Sequence, residues 1–233
     1  MLFRSMTNEP SIEDLRNNLV PLTRAEVEPM LLLDTSGSMS WPASDGGKVS
    51  RIDLVGEALK PVVAKVEGKD SQADAERAAG ADEAEVGGLM TVGFASFATD
   101  YEDLNSANFT QKWKEIKDNL GGGTEICGGW NRLMDIYVEE FGDRPKQDRP
   151  HLLALIITDG EAQDGAEFAK VLAQQTGHTY VLVAVVGHGE AHDATLTQYR
   201  AIEAEHPQNV RVLTFDSVTD PNTISSSLLA LLG

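Results

Sequence analysis

Apolar runs bounded by turn residues recur along this 233-residue chain at a spacing that predicts alternating strands and helices. The strand candidates are Pro29–Asp34 (PMLLLD), Leu89–Phe97 (LMTVGFASF), His151–Thr158 (HLLALIIT), Thr179–Val186 (TYVLVAVV) and Val210–Phe215 (VRVLTF). Two of them, through LLALII and VLVAVV, are almost continuously apolar, as parallel strands are when helices cover both faces. Between the strands, Arg51–Val66 sets Ile52, Val55, Leu59, Val62 and Val63 on one helical stripe. Phe109–Leu120 does the same with Phe109, Trp113, Ile116 and Leu120. Further helices are expected near Ile126–Glu140, Gly165–Thr176, Thr195–Glu205 and Thr223–Leu232. This alternation predicts an α/β fold, a three-layer, doubly wound and mostly parallel sheet.

Two segments break the rhythm. Residues 1–25 are largely polar and read as an N-terminal arm or helix, with a helix start at Ser11. Residues 67–85 hold seven acids against Lys69 and Arg77 and mark an acidic insertion at about 67–87, a solvated helix extension, a loop or a docking element. The sequence shows no repeat and no second apolar core, so residues 26–233 are expected to form one domain. Net charge narrows the partners: 37 acidic against 19 basic residues give −18, which argues against nucleic acid and favours solubility. No apolar run approaches the roughly 20 residues of a membrane-spanning helix, and the start, MLFRSMTNEP, lacks the apolar stretch of a secretory leader. The single Cys127 cannot form an internal disulfide, and a cytoplasmic location is expected.

The candidate chemistry lies at strand ends. After the first strand, LLLDTSGSMS supplies Asp34, Ser36 and Ser38 at alternate positions of a turn containing Gly37, so three oxygens can converge. Doubly wound sheets bind ligands beyond the carboxyl ends of their strands, where the winding reverses. Asp34 lies at one such end and Asp159, in LIITDGE, at another. If these strands flank the reversal, the two carboxylates meet across the crevice, and the GGGT turn at 121–124 can bring the Thr124 hydroxyl over them. Oxygen donors without Cys or His suit hard cations, Mg²⁺ or Mn²⁺; few carboxylates make Ca²⁺ a poorer match. The set does not fill six positions, which leaves room for water or an incoming oxygen.

DTSGS, GGGT and TDG, in this order on this strand pattern, resemble the metal-ion-dependent adhesion site (MIDAS) of the von Willebrand factor A (vWA) domain over about residues 26–232. Asp34, Ser36 and Ser38 match its D-x-S-x-S signature, Thr124 its threonine loop and Asp159 its last aspartate. Within that family the chain looks most like intracellular bacterial members associated with tellurite resistance and stress. The resemblance implies five parallel strands with one antiparallel edge strand, which would fall near Ala98–Asp103. It further implies a protein-interaction module rather than an enzyme, with an Asp or Glu of a protein partner taking the open metal position and Trp41 and Glu161 on the contact rim. The acidic insertion and the long loop Ser40–Ser50 depart from the family pattern.

Other readings compete for the same residues. DTSGS can be a turn that only caps the first helix, leaving an idle site. Phosphohydrolases of the haloacid dehalogenase type also place an Asp after their first strand, and Asp159 with Asp164 resembles their later Mg²⁺ motif. Those enzymes need a second acid two residues after the first, for general acid–base work, and here that position is Ser36. Cys127 opens a helix and reads as a small filler rather than a redox thiol, and Trp113 reads as core. His188 and His192 lack a third ligand and read as part of a strand-end loop; Trp41 reads equally as rim or as local packing.

Overall fold

The computed structural model describes residues 27–77, 87–174, 179–207 and 209–232. The N-terminal arm, with its expected helix start at Ser11, and the 78–86 part of the acidic insertion lie outside them. Six strands form one sheet: β1 (Val27–Asp34), β2 (Leu89–Phe94), β3 (Ala98–Leu104), β4 (His151–Thr158), β5 (Thr179–Gly187) and β6 (Val210–Asp216). Their order is β3-β2-β1-β4-β5-β6, with β3 antiparallel to β2 and every other pairing parallel. The winding therefore reverses between β1 and β4, where a doubly wound sheet opens its binding crevice.

All eight positions of β1 are buried, because helices cover both faces and successive side chains point to opposite sides. Leu31 and Leu33, with Leu153, Leu155 and Ile157 of β4, face α1 (Arg51–Arg77), α2 (Phe109–Asp118) and α6 (Pro221–Leu232). Met30 and Leu32, with Leu152, Ala154 and Ile156, face α3 (Ile126–Phe141), α4 (Gly165–Gln174) and α5 (Gly189–Glu205). Helix α3 sits so near the sheet that a Cβ at Gly129 would lie 2.7 Å from Phe94 Cβ and 2.8 Å from Leu32 Cδ1. That contact anchors the helix whose first turn follows Thr124.

Three elements differ from expectation. Helix α1 runs on to Arg77 instead of ending near Val66, because Glu, Lys, Gln, Ala and Arg in the acidic segment favour helix despite Gly68. β2 stops at Phe94, and Ala95–Phe97 make the reversal into β3; the alternating letters FASF hide a turn that leaves Phe97 85% exposed. Helix α5 starts at Gly189 rather than Thr195, since its polar first turn shows no apolar stripe. This corrects the loop reading of His188 and His192: His188 is the residue preceding the helix, and His192 is a buried helical residue whose Nε2 lies 3.0 Å from Thr214 Oγ1 on β6. Trp113 is buried on the α2 stripe as expected.

Candidate metal centre

Asp34 ends β1 and Asp159 follows β4, so the reversal of the sheet brings them to one crevice. A short 3₁₀ turn at Gly37–Ser40 folds the chain back over the strand end. The Ser36 backbone N–H donates to Asp34 Oδ1 at 2.8 Å, curling the loop around its own carboxylate. Ser36 Oγ and Ser38 Oγ lie 3.1 Å apart, and Ser38 Oγ donates to Asp159 Oδ1 at 2.8 Å. Asp34, Ser36, Ser38 and Asp159 thus form one run of oxygens. The Thr158 hydroxyl donates to Asp34 Oδ2 at 2.7 Å and fixes the carboxylate plane.

Thr124 arrives on a separate loop that is tied down at several points. Gly121 N–H donates to Thr35 O, Gly123 N–H to Ser96 Oγ, Glu125 N–H to Ala95 O, and the Thr124 carbonyl accepts Gln163 N–H. A Cβ at Gly160 would stand 3.4 Å from Thr124 Oγ1 and 4.0 Å from Asp34 Oδ2, so this glycine lies between hydroxyl and carboxylate. Asp164 holds the next element: Oδ1 accepts Ile126 N–H and Oδ2 accepts Cys127 N–H, both at 2.8 Å, which satisfies the first free amides of α3.

Burial and charge put this cluster under tension. Asp34 is fully buried, and its carboxyl is pushed up to about 6, first by loss of solvation and then by the Asp159 charge. The donors are all oxygen, two are carboxylates, and each carboxylate oxygen named above keeps a second lone pair. A hard divalent cation fits such a set, because it removes the repulsion that burial amplifies. Among the described residues no group of three or more His, Cys, Asp and Glu offers a softer alternative.

One partner of Asp159 is not read from the motifs. Arg51, the first residue of α1 and 5% exposed, pairs through Nη1 with Asp159 Oδ2 and lies 3.5 Å from the Ser38 carbonyl.

No protein-family model matches the chain, and no curated protein matches it. Solved structures do. The SpRpn10 VWA domain is similar with a TM-score of 0.51 at 9% identity, over 88% of this chain and 94% of that one. The chain has a vWA-like fold. PTMP1 from the mussel byssus, in a structure with a zinc-occupied MIDAS motif, is similar with a TM-score of 0.52 at 17% identity, over 89% of this chain and 47% of that one. The PilB minor pilin from Streptococcus sanguinis is similar with a TM-score of 0.55 at 14% identity, over 88% of this chain. This chain spans only 60% of that pilin's length.

On the vWA-like frame the expected rim residues separate. Trp41 is 57% exposed with the Arg51 guanidinium 5.7 Å from its ring centroid, so it packs locally and faces solvent at once. Glu161 is exposed beside Asp159 and makes no part of the oxygen cluster. Phe97 belongs to the same surroundings, one residue after the Ser96 that holds Gly123. Its place in an apolar run conceals it. Thr158 is likewise the last letter of an apolar strand, and Arg51 sits on a helix start; neither carries a motif signal. Cys127 has a thiol pushed up to about 12, chiefly by burial and then by Asp164, in keeping with a filler.

Proposed function

We propose that this chain is a metal-dependent protein-interaction module. The reading is carried by the convergence of Asp34, Ser36, Ser38 and Asp159 in the crevice between β1 and β4, where burial and the neighbouring Asp159 charge leave the Asp34 carboxylate in want of a cation. Asp34, the two serines, Thr124 and Asp159 would hold Mg²⁺ or Mn²⁺. The zinc reported in the MIDAS of PTMP1 supports the site type while leaving the choice of ion to experiment. The ion would offer one coordination position to an external carboxylate.

The protein's own groups prepare that event. Thr158 and the Ser36 amide orient Asp34, Ser38 orients Asp159, and the tied 121–124 loop presents Thr124 from above. The partner is a protein offering an Asp or Glu, with Trp41, Phe97 and Glu161 around the contact. Exposed aromatics suit such a rim, and the excess of acids in the chain disfavours nucleic acid. Among the described residues no helix is long and apolar enough to cross a membrane. A chain with one thiol suits a reducing compartment such as the cytoplasm.

Phosphoester hydrolysis is the weaker reading, since Ser36 stands where the acid–base group would be. We expect no metal-dependent turnover of phosphate esters by the purified chain.

The first test is thermal. An ion that binds only the folded state stabilises it by about 2.7 kcal/mol at a hundred times its Kd. At about 2–4 °C per kcal/mol for a domain of this size, Mg²⁺ should raise Tm by roughly 5–11 °C. Asp34→Ala should abolish the rise, and Thr124→Ala should reduce it less because water can replace a hydroxyl. An equal rise in parent and Asp34→Ala places the ion elsewhere.

A further inference from the structure

Arg51 is the charged residue that the proposed ligand set does not use, and the fold makes a slot for it. Gly187, at the end of β5, has φ +124, and a Cβ there would stand 3.2 Å from Arg51 Nε and 3.3 Å from Cζ. Trp41 covers the guanidinium from the solvent side, Asp159 takes Nη1, and Nε is buried without a hydrogen-bond partner. As the first residue of a long helix, Arg51 also places its charge at the end where the helix dipole disfavours a cation. Burial, an unpaired donor and the dipole all oppose this position, and the ion pair with Asp159 offsets them.

We propose that Arg51 is a built-in counter-charge that makes the divalent ion and an external carboxylate bind as a pair. The inference rests on the metal-binding reading above. With Asp34 and Asp159 alone, a divalent ion is neutralised by the protein and gains little by taking an anion. With Arg51 beside Asp159, the loaded centre carries one net positive charge, and one external carboxylate returns it to neutrality. Asp34, Asp159 and Arg51 are respectively 0%, 3% and 5% exposed, so these charges act with little solvent screening. Arg51 therefore weakens the ion's affinity in the free module and strengthens its pull on an anionic partner, a positioning and specificity role rather than that of a ligand.

Isothermal titration of Mg²⁺ into the full chain, in acetate and in chloride at equal ionic strength, tests this on the parent, Arg51→Gln, Arg51→Lys and Asp34→Ala. Acetate should tighten Mg²⁺ binding by the parent about fivefold or more. Arg51→Gln should bind Mg²⁺ about tenfold tighter than the parent in chloride, with the acetate effect largely gone. Arg51→Lys, which keeps the charge and loses the fork, should stay near the parent. Weaker or unchanged Mg²⁺ binding by Arg51→Gln overturns the proposal and makes Arg51 a structural prop of Asp159. Should Arg51→Gln not fold, a parent without an acetate effect, or a tighter-binding Arg51→Lys, overturns it equally. Parent binding that Asp34→Ala abolishes keeps the metal reading whatever Arg51 does; no binding by any variant removes both.

Discussion

Asp34→Asn should stabilise the metal-free protein at neutral pH although it alters a fully buried residue. The Asp34 carboxyl lies at about 6 in the folded chain against 3.8 as a free side chain, because it is buried and faces Asp159. A folded value above the unfolded one means that the native state holds the proton longer. Stability from this group is thus fully present below about pH 4 and is lost as pH rises towards 6. The difference of about two units corresponds to about 3 kcal/mol lost by pH 7. Asn keeps the volume and an oxygen for the Ser36 amide, and it cannot ionise. In excess chelator, urea unfolding of parent and Asp34→Asn across pH 4 to 7.5 should show a difference in their stabilities that grows to about 3 kcal/mol, or roughly 6–12 °C in Tm. Comparing the two chains cancels the titration of the many surface acids. A flat difference, or one that favours the parent as pH rises, refutes the claim that these carboxylates repel in a buried crevice.

Two further outcomes follow from neighbouring residues. Asp164→Ala removes both acceptors for the first amides of α3 and should cost about 1–2 kcal/mol, read as a lower urea midpoint; an unchanged midpoint would mean water replaces the cap. Cys127, held protonated to about 12, should react with a disulfide reagent at pH 8 about a thousandfold more slowly than a free thiol, and rapid labelling of the native chain would contradict the raised thiol.

Much of the fold is legible because the sheet is covered on both faces. β4 is found at His151–Thr158 as expected, since an unbroken apolar run ends sharply at Pro150 and at Asp159–Gly160. Ends set by turns or by polar helical caps are less visible, as at Phe97, where alternation continues through a reversal, and at Gly189, where a helix begins on polar residues. In the site, the oxygens of Asp34, Ser36, Ser38 and Asp159 stand out because they follow strand ends, and Thr124 because it closes a glycine-rich turn before a helix. Arg51 does not: its contact with Asp159 spans 108 positions and depends on the space left by Gly187. Such a charge is fixed by topology, and no local spacing announces it.

Crystals grown with Mn²⁺ and measured for anomalous scattering address the central claim most directly. The account predicts one ordered peak in the crevice between β1 and β4, about 2.1 Å from oxygens of the Asp34, Ser36 and Ser38 set, and its loss in Asp34→Ala. Ordered Mn²⁺ confined to other acidic surfaces, with that crevice holding only the Arg51–Asp159 pair, would contradict it.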